Sequence, residues 1–229
     1  MDKQPMRLSP LYGIHISAGA TMTSLGHWQV ATTLGFADEI AVAKAGVGIA
    51  DLSDRAKIMI EGVDAGAILE PVLGGDALGI NDVALVGETL YLARLRKDRY
   101  YVSGPTEAED DLLDRLNRAA ATSKSLVTVT DETDARTELL IIGPNASTCL
   151  RRVCGLDFHD SAYPTLTAKQ TSVAKIRQLI VRCDKRELPA YIISGGQSNA
   201  IYLWGTLLEA GHDLKIGPIG RTAVDELWR

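Results

Sequence analysis

The chain has 229 residues, of which 46% are hydrophobic and 23% are charged, and its formal net charge is −5. This length can bury a full core as one large domain or two small ones, and the acidic balance argues against a nucleic-acid-binding surface. No apolar run follows the charges of the N-terminus or approaches the length that crosses a membrane. We therefore expect a cytoplasmic globular protein whose partners include neither nucleic acid nor a membrane.

Hydrophobic periodicity and capping residues predict the elements of the first half. Asp64 precedes an apolar helical run, where its carboxylate can accept hydrogen bonds from the free amides of the first turn. Gly74-Gly75 follows that run and is expected to end the helix. The expected elements are a helix over 38–44, a strand over 56–61, a helix over 65–73, strands over 89–95 and 100–103 joined by a charged hairpin tip, a helix over 107–118 and a strand over 125–130.

The second half shows the same order of patterns. Asn145 is the expected cap of its first helix, and Gly211 is expected to end its last helix. The expected elements are a strand over 138–142, a helix over 146–153, paired strands over 171–174 and 178–183, a strand over 190–194 and a helix over 197–210.

Two sequence blocks recur in the same order. Gly62-Val63-Asp64-Ala65 returns as Gly143-Pro144-Asn145-Ala146, a shift of 81 positions (143 − 62). Tyr100-Tyr101-Val102-Ser103-Gly104 returns as Tyr191-Ile192-Ile193-Ser194-Gly195, a shift of 91 positions (191 − 100). A recurrence of this kind indicates a duplicated structural unit of roughly 80–90 residues.

The duplication predicts an α+β fold with two similar subdomains. Each copy runs strand, helix, strands, helix, which is close to the split βαβ order of ferredoxin-like units. We expect residues 1–54 to form an extension that packs on the core. Residues 55–135 and 136–229 are then the two repeats, which together form one domain with a potential site at their seam.

Direct searches for catalytic motifs find none. The sequence has no Gly-x-x-x-x-Gly-Lys-Ser loop and no Gly-x-Ser-x-Gly elbow, and its histidines lack metal-site spacing. Cys149, Cys154 and Cys183 are odd in number and lack paired C-x-x-C spacing, which favours buried structural thiols over metal ligands. We therefore expect no metal site and a reducing compartment.

Several stretches resemble the glycine-cleavage T-proteins, the tetrahydrofolate-dependent aminomethyltransferases. The resemblance begins with Ser9-Pro10-Leu11-Tyr12 and His15, continues through the glycine turn and "D-x-S" of residues 45–53, and includes residues 203–225 near the end. The middle segment, residues 143–164, looks more like the gamma subunit of heterotetrameric sarcosine oxidase, which belongs to the same superfamily. The resemblance covers residues 9 to 229.

This resemblance implies a fold, a cofactor and partners. The expected fold is the T-protein folate-binding fold built from two ferredoxin-like subdomains, without the C-terminal barrel domain, because the sequence stops at Arg229. The implied cofactor is tetrahydrofolate. A partner subunit could supply a C-terminal domain or a flavin, and the protein could be an oligomer.

The resemblance also implies a catalytic carboxylate before the strand that begins at Leu90. T-proteins carry an Asp-Asp pair at this point, where one carboxylate orients or deprotonates the reacting nitrogen of the folate. This chain has Val86-Gly87-Glu88-Thr89 instead. Glu88 keeps one carboxylate on a longer stem and is the candidate catalytic residue, although catalysis by a carboxylate depends on its placement within hydrogen-bond reach.

Four further residues are candidates for binding the cofactor. They are Glu187, Tyr191, Met22 and Trp28. Glu187 precedes Tyr191 by the sequence separation expected for the glutamate that binds the pterin in the family, and a carboxylate suits the hydrogen-bonding edge of an amino-pyrimidine. A solvated hairpin-tip charge explains Glu187 as well. Met22 and Trp28 match positions near the folate channel of the family, but a core role in the N-terminal extension explains both equally.

Two functions follow from these expectations. The first is an aminomethyltransferase-like protein that moves a one-carbon unit from an amine or related donor to tetrahydrofolate. The second is a non-catalytic subunit of the gamma type in a sarcosine oxidase-like or other one-carbon complex. A third, a folate-binding factor of the iron–sulfur-related branch, is disfavoured because the Lys-Gly-Cys-Tyr-x-Gly-Gln-Glu signature of that branch is missing.

Overall fold

The computed structural model describes residues 6–35, 38–73 and 78–228. Among these residues, no helix is both long enough and apolar enough to cross a membrane. The strands are β1 (Arg7–Leu8), β2 (Thr21–Leu25), β3 (Trp28–Thr33), β4 (Val47–Asp51), β5 (Ala56–Gly62), β6 (Val83–Val86), β7 (Leu90–Arg96), β8 (Arg99–Gly104), β9 (Val127–Asp131), β10 (Arg136–Ile142), β11 (Thr167–Val173), β12 (Ile176–Arg182), β13 (Ala190–Gly196) and β14 (Ile216–Pro218). The α-helices are α1 (Tyr12–Ser17), α2 (Glu39–Ala45), α3 (Ala65–Leu73), α4 (Glu109–Ala121), α5 (Ala146–Arg151), α6 (Ala200–Ala210) and α7 (Arg221–Trp228).

Three β-sheets organise the described residues. The five-stranded sheet has the order β6-β7-β8-β5-β9, and the six-stranded sheet has the order β11-β12-β13-β10-β4-β14. A small three-stranded sheet, β1-β3-β2, comes from the N-terminal segment. The first four strands of the two larger sheets are in corresponding order, so that β8 and β13, which carry the recurring Tyr-x-x-Ser-Gly block, occupy equivalent positions.

The N-terminal segment contributes a strand to the six-stranded sheet. β4 pairs antiparallel with β10, with Ala50 opposite Leu140, and β14 pairs parallel with β4 on its other side. All five residues of β4 are buried or nearly buried. The segment therefore does more than pack on the core, and the division at residues 54 and 135 stays a prediction.

The two large sheets pack face to face between two layers of helices. Met59, Tyr101, Leu140 and Ile192 belong to one buried cluster between the sheets. Alternate residues of the same strands point to the outer faces, where α3 and α4 cover the five-stranded sheet and α5 and α6 cover the six-stranded sheet. Because both faces of each sheet are covered, the central strands β5, β8, β10 and β13 are buried along most of their length.

The predicted strands and helices are confirmed, but two predicted caps are wrong. The Asp64 carboxylate accepts hydrogen bonds from Ser125 N–H (3.1 Å) and Ser123 Oγ (3.2 Å), and no α3 amide among the described residues donates to it. Asn145 makes no side-chain cap of α5. Both side chains instead connect segments that are distant in sequence. Asp64 binds the 123–125 segment, and Asn145 Nδ2 donates to Leu214 O at 3.4 Å. Gly74-Gly75, the expected stop of α3, lies outside the described residues.

The cysteines are buried and not disulfide-bonded, which confirms the interpretation as structural thiols. Burial raises the pKa of Cys183 to about 12 and the pKa of Cys149 to about 11. A thiol reacts as its thiolate, so both groups should be inert in the native state. We expect a thiol-reactive chromophore at pH 8 to label Cys149 and Cys183 only slowly before urea is added and rapidly afterwards. Fast native labelling of either residue, mapped by mass spectrometry, would contradict this burial.

Candidate functional site

A cleft of about 220 Å³ opens at one end of the seam between the two large sheets. It lies between the turn that joins β6 to β7 and the C-terminal helix α7. The cleft combines carboxylates, guanidinium groups and an indole ring. Its lining residues are Leu52, Arg55, Glu88, Thr89, Pro105, Arg221, Val224, Asp225 and Trp228.

Arg55 holds the turn that carries Glu88. Gly87 in this turn has φ +63°, a left-handed conformation that glycine adopts without a steric penalty. Nη2 of Arg55 donates to the Thr89 carbonyl at 2.7 Å and to the Ser103 carbonyl at 3.0 Å. The exposed Glu88 side chain is thereby placed at the rim of the cleft by a buried guanidinium group.

A buried polar network lies behind this turn, between the sheets. Glu138 is fully buried and accepts hydrogen bonds from Tyr101 OH (2.8 Å) and Ser103 Oγ (2.9 Å). Nε of Arg55 lies 3.4 Å from Oε2 of Glu138 and donates a hydrogen bond to Ser103 Oγ at 3.0 Å. Burial, together with the charge of Glu138, raises the pKa of Tyr101 well above its usual value. The phenol therefore stays protonated and remains a donor to Glu138.

Lys57 supports the loop that precedes β5. Its side chain is fully buried, and Nζ donates to the carbonyls of Ser53 (2.8 Å) and Arg55 (2.5 Å). Burial lowers the pKa of Lys57, while the charge of Glu138 opposes that shift. This lysine fixes the backbone from which Arg55 reaches the cleft.

Helix α7 is anchored to the same loop through Asp54. Asp54 is 3% exposed and accepts hydrogen bonds from Thr106 Oγ1 (2.6 Å) and Arg221 Nη1 (2.8 Å). Burial lowers the pKa of Arg221, but the charges of Asp54 and Asp225 more than compensate, so the pKa is raised. The wall of the cleft that bears Arg221 and Trp228 is thus fixed to the loop between β4 and β5.

A second polar cluster joins the stretches that resemble the T-proteins. His15 Nε2 lies 3.0 Å from Asp51 Oδ2, an oxygen that also accepts a hydrogen bond from Ser9 Oγ. Ser53 Oγ donates to the other oxygen of Asp51 at 2.6 Å, and the His15 ring packs edge-on against Trp204. Because His15 and both serines bind Asp51 and not one another, the cluster joins segments of the fold and is not a nucleophile–base pair.

The structure separates the five candidate residues predicted from the sequence. Glu88 lines the cleft. Glu187 is exposed in the β12–β13 connection, and nearby Lys185 places its Nζ 4.9 Å from the ring centroid of Trp228. Tyr191 is fully buried in the core beneath α5, and its OH lies 2.8 Å from Ser147 Oγ.

Met22 and Trp28 belong to the small N-terminal sheet. Met22 is half-buried on β2, whereas Trp28 is 3% exposed on β3 and lies under the Arg7 guanidinium, 5.0 Å from the ring centroid. Neither residue lines the cleft beside Glu88. Their assignment to cofactor binding, like that of Glu187 and Tyr191, stays a prediction.

Sequence reasoning missed most residues around the cleft. Arg55, Arg221 and Trp228 carry no motif of their own. Glu138 and Lys57 did give a signal, because each charge directly precedes an apolar run of its strand, residues 139–142 in β10 and 58–60 in β5. Charged residues are almost never fully buried unless they are paired, so a charge in such a strand indicates a buried partner.

Comparison with known proteins defines the class to which this chain belongs. The family model of the GCVT N-terminal domain matches residues 11–228, which is nearly the whole chain, and the chain therefore belongs to this family. Among curated relatives, the aminomethyltransferase of Streptomyces avermitilis is 25% identical over 239 residues, covering 99% of this chain and 63% of the relative.

Solved structures show the same mixed α+β fold. The aminomethyltransferase T of the glycine cleavage system from Bartonella henselae superposes with a TM-score of 0.81 at 22% identity, over 97% of this chain and 62% of that one. A chain of heterotetrameric sarcosine oxidase from Corynebacterium sp. U-96 superposes with a TM-score of 0.71 at 20% identity, over 92% of this chain and 97% of that one. The chain spans less than two thirds of the length of both aminomethyltransferases.

Proposed function

We propose that this protein binds tetrahydrofolate and moves a one-carbon unit to it from an amine or related donor, in the manner of an aminomethyltransferase. The observation that carries this proposal is the cleft at the seam, where two carboxylates, two guanidinium groups and an indole ring converge in a member of the GCVT N-terminal domain family. These groups match the chemistry of a pterin, which has an aromatic face and polar edges.

The cleft fits part of a folate. Its volume of about 220 Å³ is below the range of roughly 300–1,000 Å³ that is usual for sites enclosing a whole drug-sized ligand. The pterin ring would stack on Trp228, with its polar edge toward Glu88 or Asp225, and the rest of the molecule would lie outside the cleft. We propose that a partner chain or a further domain covers that part. Glu187 is exposed on the side of the second repeat and could contact it, whereas Tyr191, fully buried beneath α5, would act only by supporting β13.

Each residue then has a distinct role in the reaction. When bound, tetrahydrofolate would supply the ring nitrogen that accepts the one-carbon unit as the donor amine is released. Glu88 orients that nitrogen or takes its proton on the carboxylate, which requires hydrogen-bond reach. Arg55 positions Glu88 through the Thr89 carbonyl, and the buried Glu138 keeps Arg55 in place.

Two finer aspects of the assignment belong to the same proposal. We propose that the two halves are duplicated ferredoxin-like units, which the matching strand orders of the two large sheets support. We also propose a cytoplasmic setting, which is supported by three buried cysteines without disulfide bonds.

Binding to the purified full chain tests the proposal. We expect tetrahydrofolate and its 5-formyl analogue to quench the fluorescence of Trp228, because Trp28 and Trp204 are each only 3% exposed. Replacing the rim carboxylate (Glu88→Gln) should weaken binding by about tenfold, roughly 1.4 kcal/mol. Glu209→Gln, an exposed residue of α6, makes the same charge change away from the cleft and should leave binding unchanged.

Two further variants sharpen this experiment. Trp228→Phe should abolish the quenching while calorimetry still detects binding, and Glu187→Ala tests the predicted pterin anchor. A folded chain that binds neither folate would refute the stand-alone activity.

The second candidate is a non-catalytic subunit of the gamma type. The observation that favours it is the seam itself, which side chains from both sheets fill along most of its length. The superposition on nearly the whole of one chain of a heterotetramer supports the same function. Affinity purification of the tagged chain from its own cells should then recover a flavin-containing partner in fixed stoichiometry. A chain that elutes alone at native expression would argue against this function.

A further inference from the structure

A second concave site lies at the other end of the seam. β7 runs from Leu90, beside the cleft, to Arg96, which is roughly 20 Å away at about 3.3 Å per residue. At this end the β7–β8 hairpin meets the β11–β12 hairpin, and the two border an open pocket of about 570 Å³. The pocket is lined by four cations, Arg96, Arg99, Lys175 and Arg177, and by the hydroxyl-bearing residues Thr171 and Ser172.

Among the described residues, Glu61 is the one carboxylate that lies within 4.0 Å of a cation of this pocket. Glu61 Oε1 lies 2.9 Å from Arg99 Nε, but the two are not aligned as a hydrogen bond, and this buried nitrogen has no acceptor among the described residues. Arg96, Lys175 and Arg177 have no described carboxylate within 4.0 Å. This concentration of positive charge occurs in a chain whose net charge is −5.

The arrangement of the charges works against stability. Arg96 and Arg99 are direct cross-strand partners in the β7–β8 hairpin. Like charges in that position destabilise a sheet. Four cations that face one pocket repel one another unless an anion lies between them.

The turn that presents Lys175 is also unfavourable. Ala174 (φ +50°) and Lys175 (φ +66°) form the two-residue connection between β11 and β12. Such turns favour Asn-Gly, because both residues must adopt positive φ. Non-glycine residues held in the left-handed region concentrate at functional sites, where other interactions retain them. A lysine in place of glycine keeps a cation at the mouth of the pocket.

We propose that this pocket binds a small polyanion that carries at least two phosphate or carboxylate groups. Guanidinium groups bind both kinds of oxyanion through paired hydrogen bonds, and the neighbouring hydroxyl groups can donate further ones. The volume lies in the range of sites that enclose small ligands. Because the cations line a concavity in an acidic chain and do not form an extended basic face, a small anion fits better than a nucleic acid. This inference is independent of the proposed folate site.

Calorimetric titration of the full chain with pyrophosphate and with citrate tests the inference. Lys175→Gly and Arg177→Gln should each weaken binding by about tenfold. Lys175→Gly should leave the melting temperature unchanged or raise it, because glycine accepts positive φ, so misfolding cannot explain the loss. Lys97→Gln is the matched control: it removes one charge from the same hairpin tip, outside the pocket, and should change binding less than about twofold.

One variant should act in the opposite direction. Glu61→Gln removes the carboxylate beside Arg99 and should tighten anion binding by a few-fold, while raising the salt from about 50 to about 300 mM should weaken it. Binding of pyrophosphate alone supports a phosphate-bearing ligand, and binding of citrate supports a polycarboxylate.

Three results would overturn the inference. The first is no binding of either anion by the native chain up to about 10 mM. The second is an equal loss of binding in Lys97→Gln. The third is a short oligonucleotide that binds far more tightly than pyrophosphate and is displaced only by other nucleic acids.

Discussion

Replacing Glu138 by alanine should destabilise the protein by about 3–5 kcal/mol, the usual cost of removing one partner from a buried ion pair. Tyr101 OH and Ser103 Oγ would lose their acceptor, and Arg55 would keep a buried charge without its carboxylate. Unsatisfied buried donors and unpaired charges are among the costliest changes that a core can suffer. Equilibrium urea unfolding, followed by circular dichroism, measures the loss directly.

Two further variants show whether the charge or the hydrogen bonds account for this loss. Glu138→Gln keeps one acceptor oxygen and should fall between the wild type and Glu138→Ala. Asp114→Ala removes a carboxylate from an exposed i,i+4 pair with Arg118 and should cost about 0.5 kcal/mol or less. A loss below about 1 kcal/mol for Glu138→Ala would show that the network does not stabilise the seam.

Substitution of Glu138 should also affect the candidate cleft. Arg55 connects Glu138 to the Thr89 carbonyl and so to the turn that carries Glu88. If the folate proposal holds, Glu138→Gln should weaken tetrahydrofolate binding although Glu138 does not line the cleft. On that proposal Glu138 acts as a positioning residue, and tetrahydrofolate affinity measured by calorimetry should fall in Glu138→Gln while the direct contacts of the cleft are unchanged.

Asp51→Asn should lower stability by roughly 2–4 kcal/mol at pH 7, with a difference from the wild type that shrinks as the pH falls. Burial raises the pKa of Asp51, but the hydrogen bond and charge of His15 and the hydrogen bonds of Ser53 and Ser9 outweigh it. The folded pKa therefore lies below the ordinary value of 3.8.

The sign of the pH dependence follows from this shift. The unfolded chain takes up the proton of Asp51 more readily than the folded chain does, so acid favours unfolding. The stabilisation by the Asp51 carboxylate is fully present above the pKa that Asp51 has in the unfolded chain. It is lost as the pH falls below about 4 and through the lower pKa of Asp51 in the folded chain. Asparagine cannot titrate, and its variant should lack this part of the acid transition.

Thermal unfolding between pH 7 and pH 3 measures the effect. Asp110→Asn, an exposed residue of α4, provides the control and should track the wild type at every pH. A difference between Asp51→Asn and the wild type that stays constant from pH 7 to pH 3 would show that Asp51 is not the group responsible.

The sequence by itself determined most of the local structure. Alternating residues predicted β5 and the β7–β8 hairpin, and the apolar stripe of α4 predicted an amphipathic helix, because these patterns depend only on the period of each element. The cysteines were predicted as buried for a similar reason: Cys149 and Cys154 lie on the apolar stripe of a helical pattern. Family membership was also readable from the chain alone, and it is confirmed by the match over residues 11–228.

Only the tertiary structure decided the partners of those elements. The insertion of β4 between β10 and β14, the failure of Asp64 and Asn145 to cap their helices, and the cleft around Arg55 all depend on contacts between distant segments. Local periodicity states which face of an element is buried but not what covers it. The polar groups of the seam show this most clearly, since the buried Glu138 is tolerable only where Tyr101 and Ser103, from the other half of the protein, donate hydrogen bonds to it.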